Sequence, residues 1–130
     1  MPTTPRMGRD RRAPVVARHE IALEPREFRE RLAGFENALE GLDLDVRRQV
    51  RLLVGHLMAQ WLALEGPFRT MVLTVEVLPT SVRVDLAAKP EITRHSFWDS
   101  LVTPHVEDLV MAWGIDRRRS SGAWFEIELD

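Results

Sequence analysis

The apolar positions of this chain switch between two periods, and the switches divide it into elements. "VVARHEIAL" (15–23) carries β-branched residues in partial alternation and stops before Pro25, which predicts a first strand. In "PREFRERLAGFENALEGL" (25–42), Phe28, Leu32, Phe35 and Leu39 recur at helical spacing between Pro25 and Gly41. That spacing predicts an amphipathic helix with one apolar stripe. "DLDVRRQVRLLVGHLMAQWLALEG" (43–66) is longer and more apolar, with Val46, Val50, Leu53, Leu57, Trp61 and Leu64 in one stripe that Val54 widens. Asp43 or Asp45 is placed to cap it, and Gly66 with Pro67 to end it, so this helix is expected at the centre of the core.

The period then drops to two. "RTMVLTVEV" (69–77) and "SVRVDLA" (81–87) alternate around the turn "LPTS", which predicts a hairpin with one buried face. Pairing Val77 with Val82 sets Glu76 opposite Arg83 on the other face, as a charge pair on an exposed sheet surface. Residues 88–102 show no regular pattern. "TPHVEDLVMAWG" (103–114) is punctuated as a helix, with Thr103 as cap, Pro104 at the first position and Gly114 past the end. Val106, Leu109, Val110 and Trp113 form its inner stripe. After "IDRRRSSG", "AWFEIELD" (123–130) alternates Ala123, Phe125, Ile127 and Leu129 inward as a closing strand, leaving Trp124 on the face away from the helices. The economical assembly of these elements is a two-layer α/β (α+β) sandwich: a mixed, mostly antiparallel sheet with about three helices on one face.

Composition narrows the classes. The 130 residues are 45% hydrophobic and 29% charged, which fits one domain with a single core. No cysteine is present, so disulfides and thiolate metal sites are excluded. No apolar run reaches the roughly 18 residues needed to span a bilayer, and the arginines near the start are followed by no apolar core, so a cytoplasmic protein without a secretory signal is expected. Residues 1–18 hold Arg6, Arg9, Arg11, Arg12 and Arg18 against Asp10 alone, although the whole chain has net charge −2. With Pro2, Pro5 and Pro14, residues 1–14 read as a disordered basic tail ahead of a single domain over 15–130.

The segment "VEDLVMAWGIDRRRSSGAWFEIEL" (106–129) resembles the C-terminal signature of anti-sigma regulatory factors of the histidine-kinase-type ATPase (GHKL) family. In that pattern a helix ending in W-G leads through a basic turn to a strand of the type V-W-F-E-L. Val106, Glu107, Leu109, Trp113, Gly114, Trp124, Phe125 and Glu126 stand at the matching places, and the element order over residues 15–130 agrees. The resemblance implies a histidine-kinase-type ATPase-like fold. It also implies a nucleotide site built from a glutamate and an asparagine four residues apart on the long helix, an aspartate–x–glycine after the hairpin and a glycine-rich loop before the last helix.

At each of those places the sequence departs from the pattern. "GHLMAQW" (55–61) puts His56 and Gln60 where the glutamate and asparagine would stand. Imidazole does not replace a carboxylate near the γ-phosphate, and the extra methylene of Gln60 displaces its amide oxygen from an octahedral Mg²⁺ position. Ala88 and Pro90 occupy the aspartate and glycine positions, and "FWDSLVTP" (97–104) has no glycine to cradle phosphates. The expectation is therefore a degenerate site with no bound cofactor and no catalytic residue. Its function would be non-catalytic, a regulatory domain in bacterial transcription regulation or partner switching that contacts a sigma factor or an anti-sigma-factor antagonist, or a second copy as a homodimer. The alternatives are an ATP- and Mg²⁺-binding serine/threonine protein kinase of the same family, and a domain holding another small ligand in the vacated pocket beside His56, Gln60, Phe97 and Trp98.

Other chemistry is weakly signalled. His56, His95 and His105 would have to converge to hold a metal, without cysteine or an H-E-x-x-H motif, and no metal site is expected. No G-x-S-x-G marks a hydrolase nucleophile, and the adjacent Glu107 and Asp108 point about 100° apart on a helix. Arg117, Arg118 and Arg119 form a basic turn without a nucleic-acid recognition motif, so an acidic protein partner suits them better than nucleic acid. Together with Trp124, an aromatic on an open sheet face, they are the candidate interaction residues.

Overall fold

The computed structural model describes residues 15–28, 30, 31, 39–65, 69–92, 94–115 and 122–129. The tail 1–14, the turn with Arg117, Arg118 and Arg119, and Leu32 and Phe35 of the expected second element lie outside the described residues. The chain is α+β. Strand β1 (Ala17–Leu23) is followed by a 3-10 turn (Pro25–Glu27), helix α1 (Leu44–Glu65) and the hairpin β2 (Thr70–Val77) and β3 (Ser81–Lys89). Two short helices, α2 (His95–Ser100) and α3 (Pro104–Leu109), then precede β4 (Ala112–Ile115) and β5 (Gly122–Glu128).

The five strands form one sheet in the order β1-β2-β3-β5-β4, and every described pairing is antiparallel. The hairpin register is the one the alternation dictates, with Val77 opposite Val82 and Glu76 opposite Arg83. A shift of one residue would turn Met71, Leu73 and Val75 away from the helices, so burial of one face fixes the pairing. Those three residues pack with Val82, Val84, Leu86, Phe125 and Ile127 against Val50, Leu53, Leu57 and Trp61 of α1, all fully or almost fully buried. Trp98 and Leu101 from the α2 region and Val106 from α3 close the same core. The helices thus cover one face of the sheet.

Helix α1 begins where the Asp43 carbonyl accepts the Arg47 N–H at 3.0 Å. Ahead of it, Gly41 has φ of 99°, a left-handed conformation that costs glycine little.

Two stretches depart from the sequence expectation. The segment 88–102 is not irregular: β3 continues to Lys89, and α2 occupies His95–Ser100. The helix expected over 103–114 begins as foreseen, the Thr103 hydroxyl accepting the Val106 N–H at 3.3 Å, but it stops at Leu109. Val110 is extended, at φ −118° and ψ 151°, and the Met111 N–H donates to the Glu126 carbonyl at 2.9 Å. The exposed edge of β5 supplies backbone partners that a further helical turn would have had to forgo, and β4 takes them. Trp113 and Ile115 still reach the core from the strand, because period two also puts them on one face. Gly114 is accordingly a strand residue rather than a helix stop.

Candidate functional site

His56, Gln60, Ala88 and Pro90, singled out by the resemblance, lie on α1 and at the end of β3. His56 is exposed, and its ring stacks on that of His105 in α3, with centroids 5.4 Å apart and planes 11° from parallel. Gln60, one turn on, donates from Nε2 to the Ser100 carbonyl at 3.2 Å. Its amide therefore ties α1 to the end of α2. Ala88 faces Met71 across the hairpin and is buried in the core. Pro90 follows β3, and Arg69 anchors the chain there, donating from Nη1 to the Pro90 carbonyl at 3.1 Å and to the Glu91 carbonyl at 2.6 Å.

Between these positions stands an aromatic cluster. Trp61 meets Phe97 edge-to-face at 5.3 Å and Trp98 at 5.9 Å, and Phe97 meets Trp98 at 5.1 Å. All three are buried, and the Trp98 indole N–H donates to the Ile92 carbonyl at 2.9 Å. The geometry is the offset, edge-on packing that ring quadrupoles favour. Sequence reading left open whether Phe97 and Trp98 line a cavity or fill it. Both are buried and packed edge-to-face on Trp61.

Of the three histidines considered as ligands, the His56 and His105 rings lie face to face rather than converging on a point. Among the described residues no group of three or more His, Asp or Glu is arranged to hold a metal ion.

The opposite face of the sheet carries a polar arrangement that sequence reading missed. The register sets Arg18, Glu76, Arg83 and Glu126 side by side across four strands, an alternation of charge running transverse to the chain. Expected on an exposed surface, Arg83 is in fact 2% exposed and Glu126 4%. Arg83 forms a bidentate pair with Asp85 two residues on, Nε to Oδ2 at 2.8 Å and Nη2 to Oδ1 at 3.0 Å. Glu126 accepts from the Ser81 hydroxyl at 3.2 Å.

Trp124 does lie on this face, as the alternation requires, but it is 8% exposed. The Arg83 guanidinium carbon sits 5.1 Å from its ring centroid, a cation–π contact. The shielding Arg83 was within reach of sequence counting: carrying the Glu76–Arg83 register one strand further places Glu126 beside Arg83 and Trp124 beside Asp85. A buried arginine paired with carboxylates holds charge in place.

The first turns of α1 form a separate feature. Leu39, Leu44, Arg47, Arg48 and Arg51 line a cleft of about 210 Å³. Among the described residues no helix is long and apolar enough to cross a membrane. A scan against protein-family models finds no match for the chain, and a search of curated proteins finds no significantly similar sequence.

Proposed function

We propose that this protein is a non-catalytic regulatory domain acting by protein–protein contact, with a fold like that of anti-sigma regulatory factors and a nucleotide site that has been lost. The observation that carries the reading is the buried Trp61–Phe97–Trp98 cluster, set beside the helix face where a nucleotide would bind. The engagement of Gln60 with the Ser100 carbonyl supports it, since that amide is committed to holding two helices together. The core position of Ala88, which offers no hydrogen-bond acceptor for an adenine amino group, supports it as well. The order of elements, a strand, a long helix, a hairpin, short helices and a closing pair of strands, supports the resemblance to the histidine-kinase-type ATPase family.

On this reading the partner is a protein of the transcription-regulation machinery, such as a sigma factor or an anti-sigma-factor antagonist, met in the cytoplasm. The test is a thermal-unfolding titration with ATP and Mg²⁺. A ligand present at roughly 100 times its Kd adds about 2.7 kcal/mol to the folded state, a readily measured rise in Tm. The expected result is no rise at millimolar nucleotide. A saturable rise would instead favour the kinase reading.

A further inference from the structure

The start of α1 is built against ordinary helix design. Leu44, Arg47, Arg48 and Arg51 occupy positions i, i+3, i+4 and i+7, so their side chains leave the same face. Like charges at that spacing repel, and cations near a helix N-terminus oppose the macrodipole. The last turn of α1, where cations are favoured, holds no basic residue. Arg47 and Arg48, near the start of the helix, gain nothing from its dipole.

They also surround a cavity. Leu39, fully buried, and Leu44, more than half exposed, complete the lining of the 210 Å³ cleft, so it is apolar on one side and cationic on the other. Arg48 and Arg51 are exposed at its edge. The Nε atom of Arg47 is buried and has no hydrogen-bond acceptor among the described residues. A guanidinium N–H removed from water without an acceptor is unfavourable unless something supplies one. Planar guanidinium groups match carboxylate oxygens in pairs.

Resting on the reading of the protein as a binding module, we infer that this cleft receives an acidic, apolar-flanked segment of a protein partner, a carboxylate pairing with Arg47, Arg48 and Arg51 while a neighbouring aliphatic side chain packs on the exposed Leu44. The cleft's volume and the exposed Leu44 suit a peptide better than a lone phosphate ion, which would leave that leucine uncovered.

The experiment uses the full chain and a short fluorescent peptide of leucine and glutamate residues, with a lysine-for-glutamate peptide as comparison, read by anisotropy. Saturable binding of the acidic peptide, weakening with added salt, is expected, with the basic peptide left unbound. Arg48→Glu with Arg51→Glu should weaken the acidic peptide roughly tenfold or more. Arg18→Glu, which alters an exposed arginine on β1, should leave it unchanged, circular dichroism confirming that both variants fold. The inference is overturned by absence of saturation to millimolar peptide, by equal binding of the two peptides, by equal loss in Arg18→Glu, or by inorganic phosphate displacing the peptide at the peptide's own Kd. None of these outcomes involves nucleotide, so the ATP titration judges the binding-module reading separately.

Discussion

Gly114 and Trp124 face each other across β4 and β5, so closely that a Cβ on the glycine would lie 2.7 Å from the indole ring. The tryptophan side chain covers the glycine backbone, and the Arg83 guanidinium caps the tryptophan. The three residues stack on the sheet face opposite the helices, beside the edge strand β4. Glycine is required at 114 because of what lies across from it, independently of any turn.

Gly114→Ala is therefore expected to destabilise the fold by about 1–3 kcal/mol, the usual cost of forcing atoms into a packed site. Chemical denaturation of the variant checks it. Pairing it with Trp124→Leu should give a double variant less destabilised than the sum of the two singles, because the shorter side chain relieves the clash. Strict additivity would show that the two residues do not meet. Gly122 gives a stricter case, since a Cβ there would stand 2.5 Å from the Leu86 carbonyl oxygen, which is backbone and cannot rotate away.

Asp85 is the bidentate partner of a nearly buried arginine. Asp85→Asn keeps the shape, removes the charge and leaves an amide that donates where the guanidinium needs acceptors. A loss of about 1–3 kcal/mol follows from hydrogen bonds to charged groups. The Asp85 side chain is 34% exposed, so the loss should fall at the lower end of that range. The Arg18–Glu76 pair, 3.6 Å apart with Arg18 exposed and Glu76 half-buried, offers the contrast. Arg18→Ala should change stability by well under about 1 kcal/mol in the same urea series.

Thr103→Ala removes the side-chain acceptor for the Val106 N–H at the start of α3. The expected cost is about 1 kcal/mol. Thr103→Ser, which keeps the hydroxyl, should recover most of it, and hydrogen exchange at the Val106 amide should quicken in the alanine variant alone.

On the proposed reading, placing the residues of the resembled family on α1 should not confer nucleotide binding. In His56→Glu with Gln60→Asn, the neighbouring volume is still occupied by Phe97 and Trp98 packed on Trp61. The double variant is expected to give no Tm rise with ATP and Mg²⁺, by the same scanning calorimetry as the parent chain. Phe97→Ala, which empties part of that volume, should cost about 3–5 kcal/mol as a large-to-small core change.

The candidate site was legible in sequence only as a set of replacements. His56, Gln60, Ala88 and Pro90 could be placed by counting along elements, and the structure adds what each does there: His56 stacks on His105, Gln60 bonds to Ser100, Ala88 fills core. The role of Phe97 and Trp98 was not legible, because nothing in the irregular pattern of 88–102 indicates that six residues there form a helix whose aromatics turn inward. The arginine cleft was equally hidden. Arg47, Arg48 and Arg51 look like the solvated side of a helix until Leu39, from the preceding turn, is seen to form the cleft's other wall.

What the sequence determined by itself is whatever depends on neighbours a few positions away. Alternation fixed β2, β3 and β5, the inward residues of each, and the pairing of Val77 with Val82, because burying one face of a pleated strand permits a single register. The apolar stripe from Val46 to Trp61 fixed α1 in the same manner. Tertiary structure decided what depends on partners far along the chain. Residues 112–115 have a helical and an extended solution that both bury Trp113, and the open edge of β5 selects the strand. Alternation places Arg83 and Trp124 on one face, and the tertiary structure buries both and stacks one on the other across strands. Local periodicity specifies direction, and exposure is settled only when another part of the chain arrives to cover what points there.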